Sequence, residues 1–233
     1  MNLEPRIGLI IPSSNSLTER QFNRYAPAGV GIHVTRLRMT GKWRKSLDEL
    51  RPSLVEAAQA LSDVRPGVIV FHCTANSMEK GLAHEAAIVD IVESASGYPT
   101  MTTAQAITRA FDHFAIKKLV LISPYVQPTN QLEVNYLSEA GYTVLHELGL
   151  GLETHAYSSV TPQEWRKVVK DNLRTEADGY FLSCTNTRMI EAITDLEQDL
   201  NKPVVNSNQA TLWACLKKLG IKHSDATLGR LFQ

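Results

Sequence analysis

One pattern occurs twice in this chain and limits what it can fold into. Val68-Ile69-Val70-Phe71 runs into His72-Cys73-Thr74-Ala75-Asn76-Ser77, and Tyr180-Phe181-Leu182 runs into Ser183-Cys184-Thr185-Asn186-Thr187. A short apolar run closed by small polar residues reads as a buried parallel strand. Each copy is expected to deliver one thiol to the mouth of the helix that follows. The spacing around the copies repeats too. Pro12 stands 61 positions before Cys73, and Pro124 stands 60 before Cys184. Thr103-Ala104-Gln105-Ala106 in one half is echoed by Ser207-Asn208-Gln209-Ala210 in the other. An internal duplication predicts two similar lobes with the two thiols facing one pocket between them.

The remaining segments alternate in the same way. Ile7 to Ile11 reads as a strand, and Ser16 with Glu19 has capping-box spacing for a helix. Gly31 to Leu37 is loosely strand-like. Ser46 and Glu49 open a helix through Leu61, and Asn76 with Glu79 is read as the cap pair after Cys73. Thr100 to Thr102 is a strand and Ala104 to Phe114 a helix. The second half supplies strands at 118–122, 143–146, 179–183 and 203–205. Helices start near Gln127, at Thr161-Pro162-Gln163-Glu164, directly after Cys184, and near Gln209. The segment from Gly149 to Ser159 reads as a loop that could cover the cleft. Alternating strands and helices predict an α/β fold with parallel sheets. In such sheets ligands bind beyond the carboxyl ends of the strands, where both cysteines fall. The lobes are expected at 1–115 and 116–233, packed as one compact unit, with a crossing between them near the C-terminus allowed for.

Charge and composition exclude several classes. Lys plus Arg and Asp plus Glu number 24 each, so no basic field recruits nucleic acid. No apolar run approaches the roughly 20 residues of a membrane helix. The opening Met1-Asn2-Leu3-Glu4-Pro5-Arg6 leads straight into a strand and does not read as a signal peptide. Three cysteines cannot all pair and fit no zinc spacing, so free thiols in a reducing cytoplasm are expected. The histidines show no metal-ligand spacing, and there is no phosphate loop or nucleophile elbow.

A thiol ahead of a helix can have its pKa lowered by the helix N-terminus, and that lowering is expected at Cys73 and Cys184. The competing reading is two packed core cysteines; their matching places in the repeat argue against it. Cys215 sits inside an apolar helix segment and reads as core. His72 alternates away from the face that carries Cys73 and reads as a buried, hydrogen-bonded histidine. Lys42 to Lys45 reads as a solvated turn, with contact to an anionic substrate as the lesser alternative.

These residues resemble the aspartate/glutamate racemase superfamily, and within it the maleate cis–trans isomerase and arylmalonate decarboxylase branch. The phrases that carry the resemblance are Arg6 to Asn15 with Glu19, Cys73-Thr74-Ala75, Ser123-Pro124-Tyr125 with Pro128, Ser183-Cys184, and Lys202 to Val205. The resemblance implies two pseudo-symmetric flavodoxin-like lobes. Each would be a mostly parallel four-stranded sheet flanked by helices, with the site in the cleft. It implies no metal and no organic cofactor, a small carboxylate or dicarboxylate substrate, and a homodimer. The decarboxylases keep only the second cysteine; this chain has both. By matching position Cys73 would be the nucleophile and Cys184 the proton donor. Substrate contacts would fall to Asn15 and its neighbour Ser14, to Thr74, Ala75 and Asn76, to Tyr125, and to Thr185 and Asn186. Read without the resemblance, Tyr125 is a packing aromatic and Asn15 a turn or cap residue. Two departures stand out. The stretches after both cysteines are Thr- and Asn-rich, as in amino-acid racemases. A substrate-binding asparagine of the family falls near Glu153.

The leading expectation is a two-cysteine isomerase converting maleate to fumarate by thiolate addition, rotation and elimination. The alternative is a racemase or epimerase using the same thiols, and the second alternative a carboxylate-binding protein without turnover. The Thr-Asn surroundings favour racemisation; the Pro-Ser-Ser-Asn turn and Ser-Pro-Tyr favour the isomerase.

Overall fold

The computed structural model describes residues 4–233; Met1, Asn2 and Leu3 of the opening segment lie outside the described residues. The first half runs β1 (Arg6–Pro12), α1 (Thr18–Tyr25), β2 (Gly31–Leu37), α2 (Leu47–Ser62), β3 (Val68–Phe71), α3 (Thr74–Met78), α4 (Gly81–Ser96), β4 (Thr100–Thr102) and α5 (Thr103–His113). The second runs β5 (Lys118–Ser123), α6 (Gln127–Glu139), β6 (Thr143–Gly149), α7 (Pro162–Asp171), β7 (Gly179–Leu182), α8 (Ile193–Leu200), β8 (Val204–Asn206) and α9 (Ser207–Lys218).

Two four-stranded parallel sheets result, ordered β2-β1-β3-β4 and β6-β5-β7-β8. Both follow one winding, as the duplication requires. The strand order reverses between β1 and β3 and between β5 and β7, which opens a crevice at the carboxyl ends. Cys73 lies two residues beyond β3 and Cys184 two beyond β7, so the repeat places both thiols at equivalent strand ends.

The pleat sorts the side chains. Ile10, Ile69 and Phe71 face α2 and α4, packing on Leu50, Leu54, Leu61, Ile88 and Val92. Ile7, Leu9, Ile11, Val68 and Val70 face the other way, into a core continuous with Leu119 to Ile122, Phe181 and Leu182 of the second sheet. Alternation of period two produces this division. It also puts His72 on the face opposite Cys73, beside Phe22 at 5.3 Å between ring centroids. Helix α9 packs on α5 and α1, and α6 on α3 and α4, so the lobes are joined by helices as well as by that core. Among the described residues no helix is long and apolar enough to cross a membrane.

Several starts follow the expected caps. Ser46 with Glu49 and Thr161 with Glu164 form complete capping boxes. Others differ. Ser16 does not cap α1; Asn15 Oδ1 takes the N–H groups of Leu17 and Thr18 at 3.1 and 2.9 Å. Ser16 instead donates to Asn186 across the cleft. Asn76 and Glu79 open no helix, because Cys73 itself is the N-cap of α3 and the chain kinks at Gly81, where φ is +78°. Nor does a helix directly follow Cys184. Residues 185–188 form bends, then comes a 3₁₀ turn, Met189–Ala192, and only then α8. Strand β6 outruns its expected end at His146 and reaches Gly149, and the loop beyond carries a 3₁₀ turn, Thr154–Ala156.

Gly149 is where the fold meets the site. A Cβ there would stand 2.3 Å from the Tyr125 carbonyl oxygen. Leu150, Gly151 and Leu152 donate to the carbonyls of Ser123, Tyr125 and Pro124 at 2.9–3.0 Å, which pins Tyr125. Gly149→Ala is therefore expected to cost about 1–3 kcal/mol through overpacking, read as a fall of several degrees in a thermal melt. An unchanged melting temperature would mean that the loop yields without cost.

Candidate active site

Both thiols line one cleft of about 610 Å³, its open mouth included. Cys73 and Cys184 are 5% and 4% exposed. Cys73 Sγ donates to Asn76 Oδ1 at 3.0 Å, and Cys184 Sγ accepts the Asn186 N–H at 3.3 Å. The Tyr125 side chain lines the cleft beside Cys184. Cys184 has φ +119°, a left-handed value that favours glycine. Its backbone is held there by its N–H on Ser207 Oγ at 3.1 Å and by the Thr187 hydroxyl on its carbonyl at 3.4 Å. Strain of this kind, about 1–3 kcal/mol, persists where the surroundings over-determine it.

The residues singled out in the sequence separate into groups. Ser14, Ala75, Asn76, Tyr125, Thr185 and Asn186 line the cleft with the thiols. Asn15 also lines it, but its carboxamide is committed. Nδ2 donates to Thr18 Oγ1 at 2.9 Å and to Thr185 O and Oγ1 at 3.2 and 3.1 Å. Thr74 does not line it; its hydroxyl bonds Ser207 Oγ at 2.9 Å. Glu153 is not part of the wall, which is formed from that loop by Thr154 and Tyr157.

Sequence reasoning missed Tyr157 and Glu79, and gave Arg44, within 42–45, only as the lesser reading. Tyr157 meets Tyr125 edge to face, with centroids 5.5 Å apart. Arg44, within the stretch read as a solvated turn, reaches the cleft wall and places Nε and Nη2 on Glu79 Oε1 at 3.1 and 2.8 Å. Among the described residues lining the cleft, these two are the only charged side chains. Their pairing over 35 positions has no local signal; only the basic cluster itself was visible.

His72 is fully buried. Asn208 Nδ2 donates to Thr185 O and Gln21 Oε1, so its Oδ1 must accept, here from His72 Nε2 at 2.8 Å. His72 Nδ1 then accepts from Thr103 Oγ1 at 2.9 Å. Burial lowers its pKa to about 4, against the Asn208 bond, which raises it. A neutral imidazole with both nitrogens used is the satisfied core histidine expected from the alternation. Cys215 is buried in the core, away from the cleft. Among the described residues no group of three or more His, Cys, Asp or Glu comes together to hold a metal.

The expected lowering of the thiol pKa values is corrected. Burial pushes both Cys73 and Cys184 up to about 12; the Asn76 contact opposes this at Cys73, and Tyr125 and the Asn186 N–H oppose it at Cys184. Each loses more by leaving water than the polar contacts beside it return. Both thiols therefore rest protonated. In the ligand-free protein, alkylation of Cys73 and Cys184 at pH 8 is expected to run at least ~100-fold slower than for a free thiol. Mass spectrometry across a pH series checks this; an inflection below pH 8 would restore the helix effect.

Comparison with known proteins agrees with this fold. The sequence model of one family, described as Arylmalonate decarboxylase, matches residues 7–232. A maleate isomerase from Pseudomonas putida is 26% identical over 231 residues, covering 93% of this chain and 92% of that protein. A maleate isomerase variant from Pseudomonas putida S16, solved with maleate, shares the fold with a TM-score of 0.89 at 24% identity, over 98% of this chain and 97% of that one. A Nocardia farcinica maleate cis–trans isomerase variant, solved with a covalently bound succinylcysteine intermediate, superposes with a TM-score of 0.88 at 20% identity, over 98% of both chains.

Proposed function

Because this chain belongs to the arylmalonate decarboxylase family, we propose that it is a cofactor-independent isomerase of a small carboxylic acid, and that it converts maleate to fumarate with Cys73 and Cys184. The observation that carries the reading is the pair of buried thiols on one cleft wall. The maleate isomerase relative supports the substrate.

Cys73 Sγ bonds to one olefinic carbon, and the π electrons move toward the adjacent carbon and its carboxylate. That carbon takes the proton of Cys184, while the proton of Cys73 passes to Cys184. One S–H has then been added across the double bond, and the new single bond rotates. In the reverse sense, Cys184 hands its proton to the Cys73 sulfur as the C–S bond breaks and takes one from the adjacent carbon, and the double bond re-forms as fumarate. The proton circulates within the pair, so no lasting thiolate is required. This suits a site whose burial holds both thiols neutral at rest. The Nocardia farcinica isomerase was captured with a succinylcysteine, the bond type proposed here at Cys73.

Charge that spreads into the carboxylate is met by donors already in place, as in an oxyanion hole. Ala75 and Asn76 open α3, so their N–H groups have no intrahelical acceptor. Tyr125 and Asn186 stand beside Cys184. Asn15 would reach a ligand only by giving up Thr185, so its role is to hold the wall. Arg44 is the one cation on the described wall, and it takes the second carboxylate.

Racemisation α to a carboxylate by the same thiols is the second reading. Arg44 and Glu79 favour it, because their opposite charges complement an α-amino acid. The three free thiols fit a reducing cytoplasm.

Proton NMR in deuterated water separates these readings. Maleate is expected to become fumarate, and Cys73→Ser or Cys184→Ser to lower kcat at least ~1,000-fold. Deuterium entering the α-carbon of an amino acid, with maleate untouched, would select the racemase. Silence toward every acid offered would leave a binding protein. Arg44→Gln is expected to raise KM for maleate about tenfold with kcat little changed, the mark of lost uniform binding; an equal fall in kcat would place Arg44 in the chemistry instead.

A further inference from the structure

Glu133, on the second turn of α6, has no part in the chemistry above. It is fully buried. Oε1 accepts from Ser183 Oγ at 2.9 Å, and Oε2 has no hydrogen-bond partner. Ser183 directly precedes Cys184, so the carboxyl lies one residue behind the thiol.

The groups around it are acidic or neutral. Ser183 bonds it from the end of β7, and Cys184 after that strand, Tyr125 beyond β5 and Cys73 at the start of α3 lie within reach of its charge. Glu85 of α4 accepts from Tyr136, one turn further along α6. Glu147 of β6 accepts from Asn130, one turn back. Among the described residues no Lys or Arg pairs with Glu133. An ionised carboxylate here would be a buried anion with one hydroxyl donor and no counter-charge, a state that proteins avoid by keeping the proton. Burial pushes the carboxyl up to about 8, the Ser183 hydrogen bond opposing it. A negative charge on Glu133 in turn pushes up Cys73, Cys184 and Tyr125.

We propose that Glu133 carries a proton at neutral pH and is a positioning residue for the thiol pair: neutral, it permits the transient charge that passes between Cys73 and Cys184, and ionised, it blocks it. The second half of the statement rests on the two-thiol reading above. The first half does not.

Glu133→Gln keeps the shape and removes the charge; Glu133→Leu is a second uncharged replacement. For wild type, kcat/KM for maleate is expected to fall about tenfold from its plateau by pH 9, one unit above a group titrating near 8. Both variants are expected to keep their neutral-pH value to pH 9. An alkaline fall of the same size in either variant overturns the coupling to the thiols. Thermal melts test the proton itself without any turnover. Between the ordinary carboxyl value and about 8 the folded chain holds one proton more than the unfolded chain, so Glu133 makes the wild type lose stability as pH rises across that window. The melting temperature of Glu133→Gln minus that of wild type is thus expected to grow from pH 5 to pH 8 and then level. A difference independent of pH overturns the protonated carboxyl. If wild type leaves maleate unchanged while that difference grows, the isomerase reading falls and the protonated Glu133 stands.

Discussion

The buried polar seam between the two lobes is the constraint on which the rest of the structure depends. It runs from Asn15 to Thr185, Ser16 to Asn186, Gln21 to Thr187, Thr74 to Ser207 and His72 to Asn208. Every bond joins the first half of the chain to the second. Inside a low-dielectric interior such a network is rigid when satisfied and costly when broken. Apolar packing alone would let the two sheets settle in several offsets. The seam fixes one, and with it the facing of the two strand ends that carry the thiols. It also explains how Cys184 can hold a left-handed φ, since its own backbone is tied into Ser207 and Thr187.

The seam sets the chemistry as well. By closing the lobes it removes both thiols from water, and that raises their pKa values rather than lowering them. A site built this way is unsuited to a standing thiolate and suited to a proton shared between two neutral thiols. The same dryness reaches Glu133, one residue behind Cys184, and strengthens every polar contact a bound carboxylate would make. At the mouth, Arg44 and Glu79 supply balanced charge, so the cleft as a whole repels neither an anion nor a zwitterion.

The fold was legible because its signals are periodic. Apolar runs ending in small polar residues, two complete capping boxes and the echo of Pro12–Cys73 in Pro124–Cys184 fixed the strands, most helices and the duplication. The thiols stood out for the same reason. What the sequence could not show were choices made by tertiary contact. Asn15 and Ser16 are both good caps, and which one serves depends on Asn186, 170 positions away from Ser16. Thr74 follows Cys73 as Thr185 follows Cys184, yet only Thr185 reaches the cleft, because Ser207 claims the Thr74 hydroxyl. The thiol pKa values were misjudged because helix position is written in the sequence and burial is not. Arg44 and Tyr157 lay in segments read as loops, where position is set by what they pack against.

The most direct test of the central claim, that Cys73 and Cys184 act as one pair on one ligand, is intact mass spectrometry with peptide mapping of Cys184→Ser after incubation with maleate. The account requires the mass of one maleate added to the protein and mapped to Cys73, because without Cys184 the Cys73 proton can still end on the adjacent carbon and leave a stalled adduct, while its elimination needs both thiols. An unmodified protein, or an adduct mapped to Cys215, would contradict it.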